Sequence, residues 1–187
     1  MDDYVGLAAD APQGFGTFLK ERLFGKCPFR EVHYINGLTD DIEGECRRYA
    51  KLLEEAPVDI VCMGIGENAH IAFNDPGVAD FNDPALVKLV PLDLVCRQQQ
   101  VNDGCFKSVD QVPTHAITLT IPAIIRSSRI FCMVPAKTKA DAVFNSLNSG
   151  ISEAYPASIL RNHSNAVMFV DENSGARLNE VHSLEKI

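Results

Sequence analysis

The chain has no apolar run approaching the roughly 18 residues that a membrane-crossing helix needs, and its opening Met-Asp-Asp-Tyr does not read as a signal peptide. Positive charge is in short supply: 17 Lys and Arg stand against 25 Asp and Glu, a formal net charge of -8. That balance excludes a general nucleic-acid or polyanion surface, so an anionic ligand would need a local basic cluster working against the global field. The six cysteines (27, 46, 62, 96, 105 and 132) contain no C-x-x-C pair, and no metal-ligand spacing appears. They are expected to be reduced, mostly buried thiols of a cytoplasmic protein, with Cys62 and Cys132 inside apolar runs. Internal repeats and low-complexity stretches are also missing. What remains is ordinary for a globule: 187 residues, 46% of them hydrophobic, enough for a single domain over 1–187 with a sizeable core.

One stretch concentrates the polar chemistry. Val58 to Met63 is a short β-branched run that reads as a buried strand, and Gly64 and Gly66 then turn the backbone. Asn68, His70 and Asp75 follow directly, where open α/β sheets bind ligands. Three readings compete. The plainest is a strand, a glycine turn and a satisfied loop histidine. A second is a dinucleotide fingerprint, since Gly64 to Ala69 fits G-x-G-x-x-A, but Pro76 and Gly77 stop any crossover helix after about two turns. The third is a sugar-phosphate site.

Around this stretch, strand and helix signals recur. Apolar residues at 15, 18, 19 and 23 have helical spacing, and Val32 to Ile35 is a candidate short strand. Thr39 is the expected N-cap of a helix running to about Glu55, with Ile42, Cys46, Tyr49, Leu52 and Leu53 as its buried stripe. Val87 to Asp93 is a strand, Cys96 to Gly104 a polar helical turn and loop, and Val112 to Thr120 an alternating strand. Ile121 to Ser127 is a short helix, and Arg129 to Val134 another buried strand, from whose end a helix opens at Pro135 to Val143. Such a helix start offers free N–H groups to an anion, with Lys139 adding a full charge. Ala166 to Asp171 is the last strand, and His33, His163 and His182 are expected at the surface. Together these segments predict an α/β fold.

The run Gly-Ile-Gly-Glu-Asn-Ala-His-Ile-Ala-Phe-Asn-Asp-Pro (64–76) resembles the signature loop of the glucosamine-6-phosphate deaminase/isomerase family. Met-Asp-Asp-Tyr-Val-Gly-Leu (1–7) is similar to an internal segment of that family, usually Met-Asp-Glu-Tyr. Val112 to Thr118 matches its Val-Pro-x-x-Ala-x-Thr strand, Lys-Ala-x-Ala aligns at Lys139, and Pro156 to Leu160 resembles its last short helix. The resemblance runs from Met1 to about Gly175. It implies a three-layer Rossmann-like domain with a mostly parallel sheet, acting on a phosphorylated amino sugar. It also implies C1/C2 proton shuttling with release of ammonia, without metal or organic cofactor. By analogy His70 assists ring opening, Asp75 orients it, and Asn68 lies beside it. Asp2 carries the carbon proton, Gly64 and Gly66 shape the site, and Lys139 binds phosphate. Arg97 is a second phosphate candidate, though it aligns about two residues early. No nucleic-acid or membrane partner is expected, and a homo-oligomer is compatible with this reading.

Two departures from the family pattern stand out. Well-known deaminases carry aspartate where this chain has Asn68, and an amide cannot raise the basicity of the histidine as a carboxylate does. The family's N-terminal strands and Gly/Thr-rich phosphate loop have no counterpart before Met1. The expectation is therefore of an N-terminally truncated form whose Asp2 sits on a fraying terminus and turns over poorly. A sugar-phosphate-binding protein with impaired catalysis, and a 6-phosphogluconolactonase-type hydrolase, are the competing functions.

Overall fold

A computed structural model of the chain describes residues 1–8 and 10–178. In order, its elements are β1 (Asp2–Tyr4), α1 (Phe15–Leu19), α2 (Ile42–Glu55), β2 (Ile60–Met63), β3 (Val87–Pro91), α3 (Leu94–Asn102), β4 (His115–Leu119), α4 (Ile121–Ile125), β5 (Arg129–Val134), α5 (Ala140–Asn148) and β6 (Ala166–Val170). Residues 1–55 and 87–119 form one compact unit; residues 56–86 and the chain from Thr120 onward form a second. Among the described residues, no helix is long and apolar enough to cross a membrane.

The first unit is built on an antiparallel sheet in the order β1-β4-β3, and the parallel pairing expected of most of the sheet lies in the second unit. β4 is central, and Ala116 to Leu119 are all buried, because both of its faces are covered. Asp2 pairs with Thr118, and Leu119 donates its N–H to the Met1 carbonyl at 2.9 Å. The start of the chain is thus a sheet strand, contrary to the fraying expected of it. Tyr4 anchors that strand: it is 2% exposed, stacks on Phe15, and donates its hydroxyl to Gln100 Oε1 at 2.8 Å. Burial pushes its phenol well above the ordinary range.

Val32 to Ile35 is not a strand. Side chains of α2 instead take two of its carbonyls and the amide that follows it. Arg48 Nη2 donates to the Tyr34 carbonyl (2.8 Å), the Tyr49 hydroxyl to the His33 carbonyl (3.2 Å), and Asn36 N–H to Glu45 Oε1 (2.7 Å). The α2 cap is Asp41, which accepts from Gly44 N–H at 2.8 Å; Thr39 closes only the preceding turn by accepting from Asp41 N–H. The expected stripe is half-buried, and the one buried residue of α2 is Glu45. Burial alone would raise its carboxyl, but the hydrogen bonds from Arg48 and Asn36 hold it below the usual range. The helix predicted over 15–23 breaks at Leu19 into a wider turn over Lys20–Phe24, leaving Phe18 and Leu23 exposed. Cys96 to Gly104 proves more regular than expected, since Asp93 accepts from Cys96 N–H at 2.7 Å and starts α3 at Leu94.

The second unit carries a parallel sheet in the order β2-β5-β6. Its register aligns Met63 with Cys132 and Cys132 with Met168. Strand alternation then buries Val61, Met63, Ile130, Cys132 and Val134 on one face. The opposite face presents Ile60, Cys62, Met133, Val167 and Phe169 to solvent. This corrects the reading of the thiols: Cys27, Cys62 and Cys105 are exposed, and Cys46 is half-buried. Only Cys96 and Cys132 are buried, and burial pushes the Cys132 thiol up to about 12. His163 is not a plain surface residue either, for its Nε2 meets the Ser127 carbonyl at 2.8 Å while Nδ1 accepts from Asn165 N–H. His182 lies outside the described residues.

Candidate active site

The loop after β2 is a tightly packed piece of backbone. Ile65, Ala69, Ile71, Phe73, Asn74 and Asp75 are all buried. Gly66 N–H donates to the His70 carbonyl (2.9 Å), and Ala69 N–H returns to the Gly66 carbonyl (3.0 Å). Closing so small a loop forces Ala69 and Ala72 to φ of 66° and 52°, the left-handed region. Ala157 N–H reaches the Ala69 carbonyl at 2.9 Å from the 3-10 turn over Pro156–Asn162, fixing the loop from outside. Gly66 is required for contact: a Cβ there would fall within the His70 ring.

The histidine so placed is oriented from one side. His70 Nδ1 lies 2.8 Å from Asn68 Oδ1 and 2.9 Å from Asp75 Oδ1. Asn68 Nδ2 also donates to Asp75 Oδ1 at 2.9 Å, and Asn68 Oδ1 accepts from His70 N–H at 3.1 Å. The amide orientation follows from these contacts. Flipping it would set NH2 against the backbone N–H and an oxygen against the carboxylate. Since both groups facing Nδ1 are acceptors, Nδ1 carries the proton and Nε2 keeps its lone pair. Asp75 and His70 side chains are only 4% and 10% exposed, and a carboxylate so deeply placed depends on such partners. The arrangement can accept and return a proton at Nε2.

Lys139 sits on the neighbouring strand's exit. β5 lies directly beside β2 in parallel register, so the His70 loop and the segment 135–139 leave the sheet at the same, carboxyl end. The helix expected from Pro135 is delayed: Lys137–Lys139 form a 3-10 turn and α5 begins at Ala140. Lys139 is half-buried at that junction. Gly64 packs against the Met133 carbonyl, bringing the two loop bases together.

The structure therefore gathers Asn68, His70, Asp75 and Gly66, and sets Gly64 and Lys139 on the same sheet end. Asp2 and Arg97 belong to the first unit. Arg97 performs a different task from the one expected of it. Its Nε donates to the Val112 carbonyl (3.1 Å) and its Nη2 to those of Val109 and Val112 (2.6 and 2.8 Å), which pins the loop before β4. Asp3, beside Asp2, accepts from Phe15 and Gly16 N–H (3.2 and 3.1 Å) and so holds the start of α1. A cavity of about 290 Å³ in the first unit is lined by Asp3, Tyr4, Thr17, Lys20 and Tyr34 among others; none of the predicted site residues lines it. Sequence reasoning missed Ala69 and Ala157, whose contact shapes the histidine loop, and Asp171, which accepts from Ala136 N–H at 3.0 Å. Neither alanine nor a strand-end aspartate carries a signal of such a role.

A family described as glucosamine-6-phosphate isomerases/6-phosphogluconolactonase matches residues 7–169. The chain belongs to this family. A glucosamine-6-phosphate deaminase of Streptococcus equi subsp. zooepidemicus (strain H70) is 37% identical over 178 residues, covering 95% of this chain and 74% of the relative. One of Bacillus thuringiensis (strain Al Hakam) is 37% identical over 174 residues, covering 93% of this chain and 64% of the relative. Among solved structures, a monomeric glucosamine-6-phosphate deaminase superposes with a TM-score of 0.83 at 35% identity, covering 94% of this chain and 72% of the other. The 6-phosphogluconolactonase of Trypanosoma brucei shares the family's fold, with a TM-score of 0.75 at 18% identity, over 95% of this chain and 72% of that one. The α/β, Rossmann-like class expected from the sequence is the class of this family.

Proposed function

We propose that the chain acts as a glucosamine-6-phosphate deaminase, converting the amino-sugar phosphate and water to fructose 6-phosphate and ammonia. The observation that carries this reading is the hydrogen-bonded set Asn68–His70–Asp75, which holds Nδ1–H and leaves Nε2 free to exchange a proton with the ring oxygen of the sugar. Ring opening exposes the C1 aldehyde. A carboxylate then takes the proton from C2 and returns it to C1, and we assign that role to Asp2, held on β1 by its pairing with Thr118. The C2 imine that results is hydrolysed, which breaks the C–N bond and releases ammonia. Lys139 binds the 6-phosphate at the carboxyl end of the parallel sheet. The chemistry calls for no metal or organic cofactor, and a cytoplasmic metabolic role is part of the same reading.

The test is incubation of the chain with glucosamine 6-phosphate, followed by ammonia and ketose assays. Stoichiometric ammonia and fructose 6-phosphate are expected. Tight binding without turnover would instead identify a sugar-phosphate sensor, and neither binding nor turnover would remove the assignment.

A further inference from the structure

Lys139 owes its position to a turn that begins at a strained residue. Ala136 has φ 84° and ψ 146°, a region that glycine enters freely and a Cβ disfavours. Its carbonyl accepts from Lys139 N–H at 3.1 Å and so closes the 3-10 turn. Its own N–H donates to Asp171 Oδ2 at 3.0 Å, across from the end of β6. The other oxygen, Oδ1, accepts from Asn173 N–H (3.0 Å) and Ser174 N–H (2.7 Å). Those amides, Ser174 foremost and then Ala136, hold the exposed carboxyl below its ordinary range. The residues just after this turn hold α5 itself. Arg177 Nη1 pairs with Asp141 Oδ1 at 2.6 Å, and its guanidinium lies 4.2 Å over the Phe144 ring. Lys139 is thus bracketed, at Ala136 before it and at Asp141 and Phe144 after it, by one short segment following β6.

We propose that Asp171 is a positioning residue for phosphate capture, holding Ala136 in its left-handed conformation so that Lys139 faces the phosphate of the substrate. The inference rests on the reading that Lys139 binds that phosphate. Without the Asp171 acceptor, Ala136 relaxes toward negative φ in part of the population. Apparent affinity then falls by the competent fraction.

The experiment uses the full chain and compares Asp171→Asn, Ala136→Gly, the double variant and Lys139→Ala, with Kd for the phosphorylated product, fructose 6-phosphate without ammonia, measured by calorimetry and kcat measured with glucosamine 6-phosphate. Asparagine keeps the shape of the side chain. Its single oxygen serves the paired Asn173 and Ser174 amides, so its NH2 turns toward Ala136. Asp171→Asn is expected to weaken binding about five-fold, with kcat changed less than about two-fold. In the Ala136→Gly background the same substitution should cost less than about two-fold, because glycine reaches this φ without a clamp. A folded Asp171→Asn protein with unchanged Kd, beside a weakened Lys139→Ala, would overturn the positioning role while sparing the phosphate reading. So would a loss that persists undiminished in the glycine background. Unchanged affinity in Lys139→Ala would overturn the phosphate reading, and the inference with it.

Discussion

Two loops leave adjacent parallel strands at the same end of one sheet, yet they are held by opposite means. The loop after β2 is buried from Ala69 to Asp75 apart from Ala72, and its polar side chains bond one another. The segment after β5 is exposed from Pro135 to Thr138, and its left-handed alanine is clamped by one carboxylate arriving from residue 171. The difference matches the work each would do. A proton-transferring imidazole needs one tautomer and one orientation, which dense packing enforces. A lysine meeting a phosphate acts as a flexible point charge and tolerates a looser mount. Damage to the first loop should therefore strike kcat and stability together, whereas damage to the second should act on affinity alone.

The sharpest way to break this comparison is His70→Gln. Loss of a general acid–base group is expected to lower kcat by roughly 10²–10⁴-fold. Because His70 is 8% exposed and packed over Gly66, the melting temperature should fall as well. Ammonia release and thermal melts read the two effects, and an unchanged kcat in a folded variant would strip His70 of its role. Lys139→Ala should do the opposite. Affinity for the phosphorylated sugar falls about ten-fold or more, as expected for a charge-assisted contact, while the melting temperature barely moves. Equal Kd values would show that the lysine faces elsewhere.

Asn68→Asp probes the histidine loop more gently. It would put a second carboxylate 2.9 Å from Asp75 Oδ1, where the amide now donates. With both carboxylates ionised beside the ring, the added negative charge favours the imidazolium. The acidic limb of the pH–rate profile should therefore move to higher pH, with turnover at neutral pH falling. A superimposable profile would mean that Asn68 does not govern His70. Smallest of all, and a control away from both loops, is Glu45→Gln. The carboxyl of Glu45 is held below its unfolded value, so its contribution is complete above about pH 4.3 and fades as the pH falls through the folded pKa. With Arg48 half-exposed, a loss of about 1 kcal/mol at pH 7 is expected. That loss should vanish in acid, and a difference independent of pH would contradict the pairing.

Much of this was legible beforehand, for identifiable reasons. The β2 loop could be read because strand, glycine turn and polar cluster lie within one contiguous stretch, and Asn68, His70 and Asp75 do converge there. β3, β4, β5 and β6 could be read from apolar runs. What escaped depended on partners distant in sequence. Val32 to Ile35 has strand propensity, but Arg48 and Tyr49 claim two of its carbonyls and Glu45 the amide of Asn36. Arg97 looked like a phosphate ligand because nothing local shows that it is committed to the carbonyls of Val109 and Val112. Asp2 looked loose because its stability comes from β4, more than a hundred residues away. Cys62 looked buried because a continuous apolar run does not say that only one face of its strand is covered.

The most direct test of the account is the tautomer of His70. Nitrogen-15 chemical shifts of the neutral imidazole, in the folded chain without substrate, separate a protonated ring nitrogen from one with a free lone pair. Acceptors from Asn68 and Asp75 at Nδ1 predict a protonated Nδ1 and a lone pair at Nε2. Protonation at Nε2 in the folded protein would contradict it, since the nitrogen meant to exchange protons with the sugar would then be the wrong one.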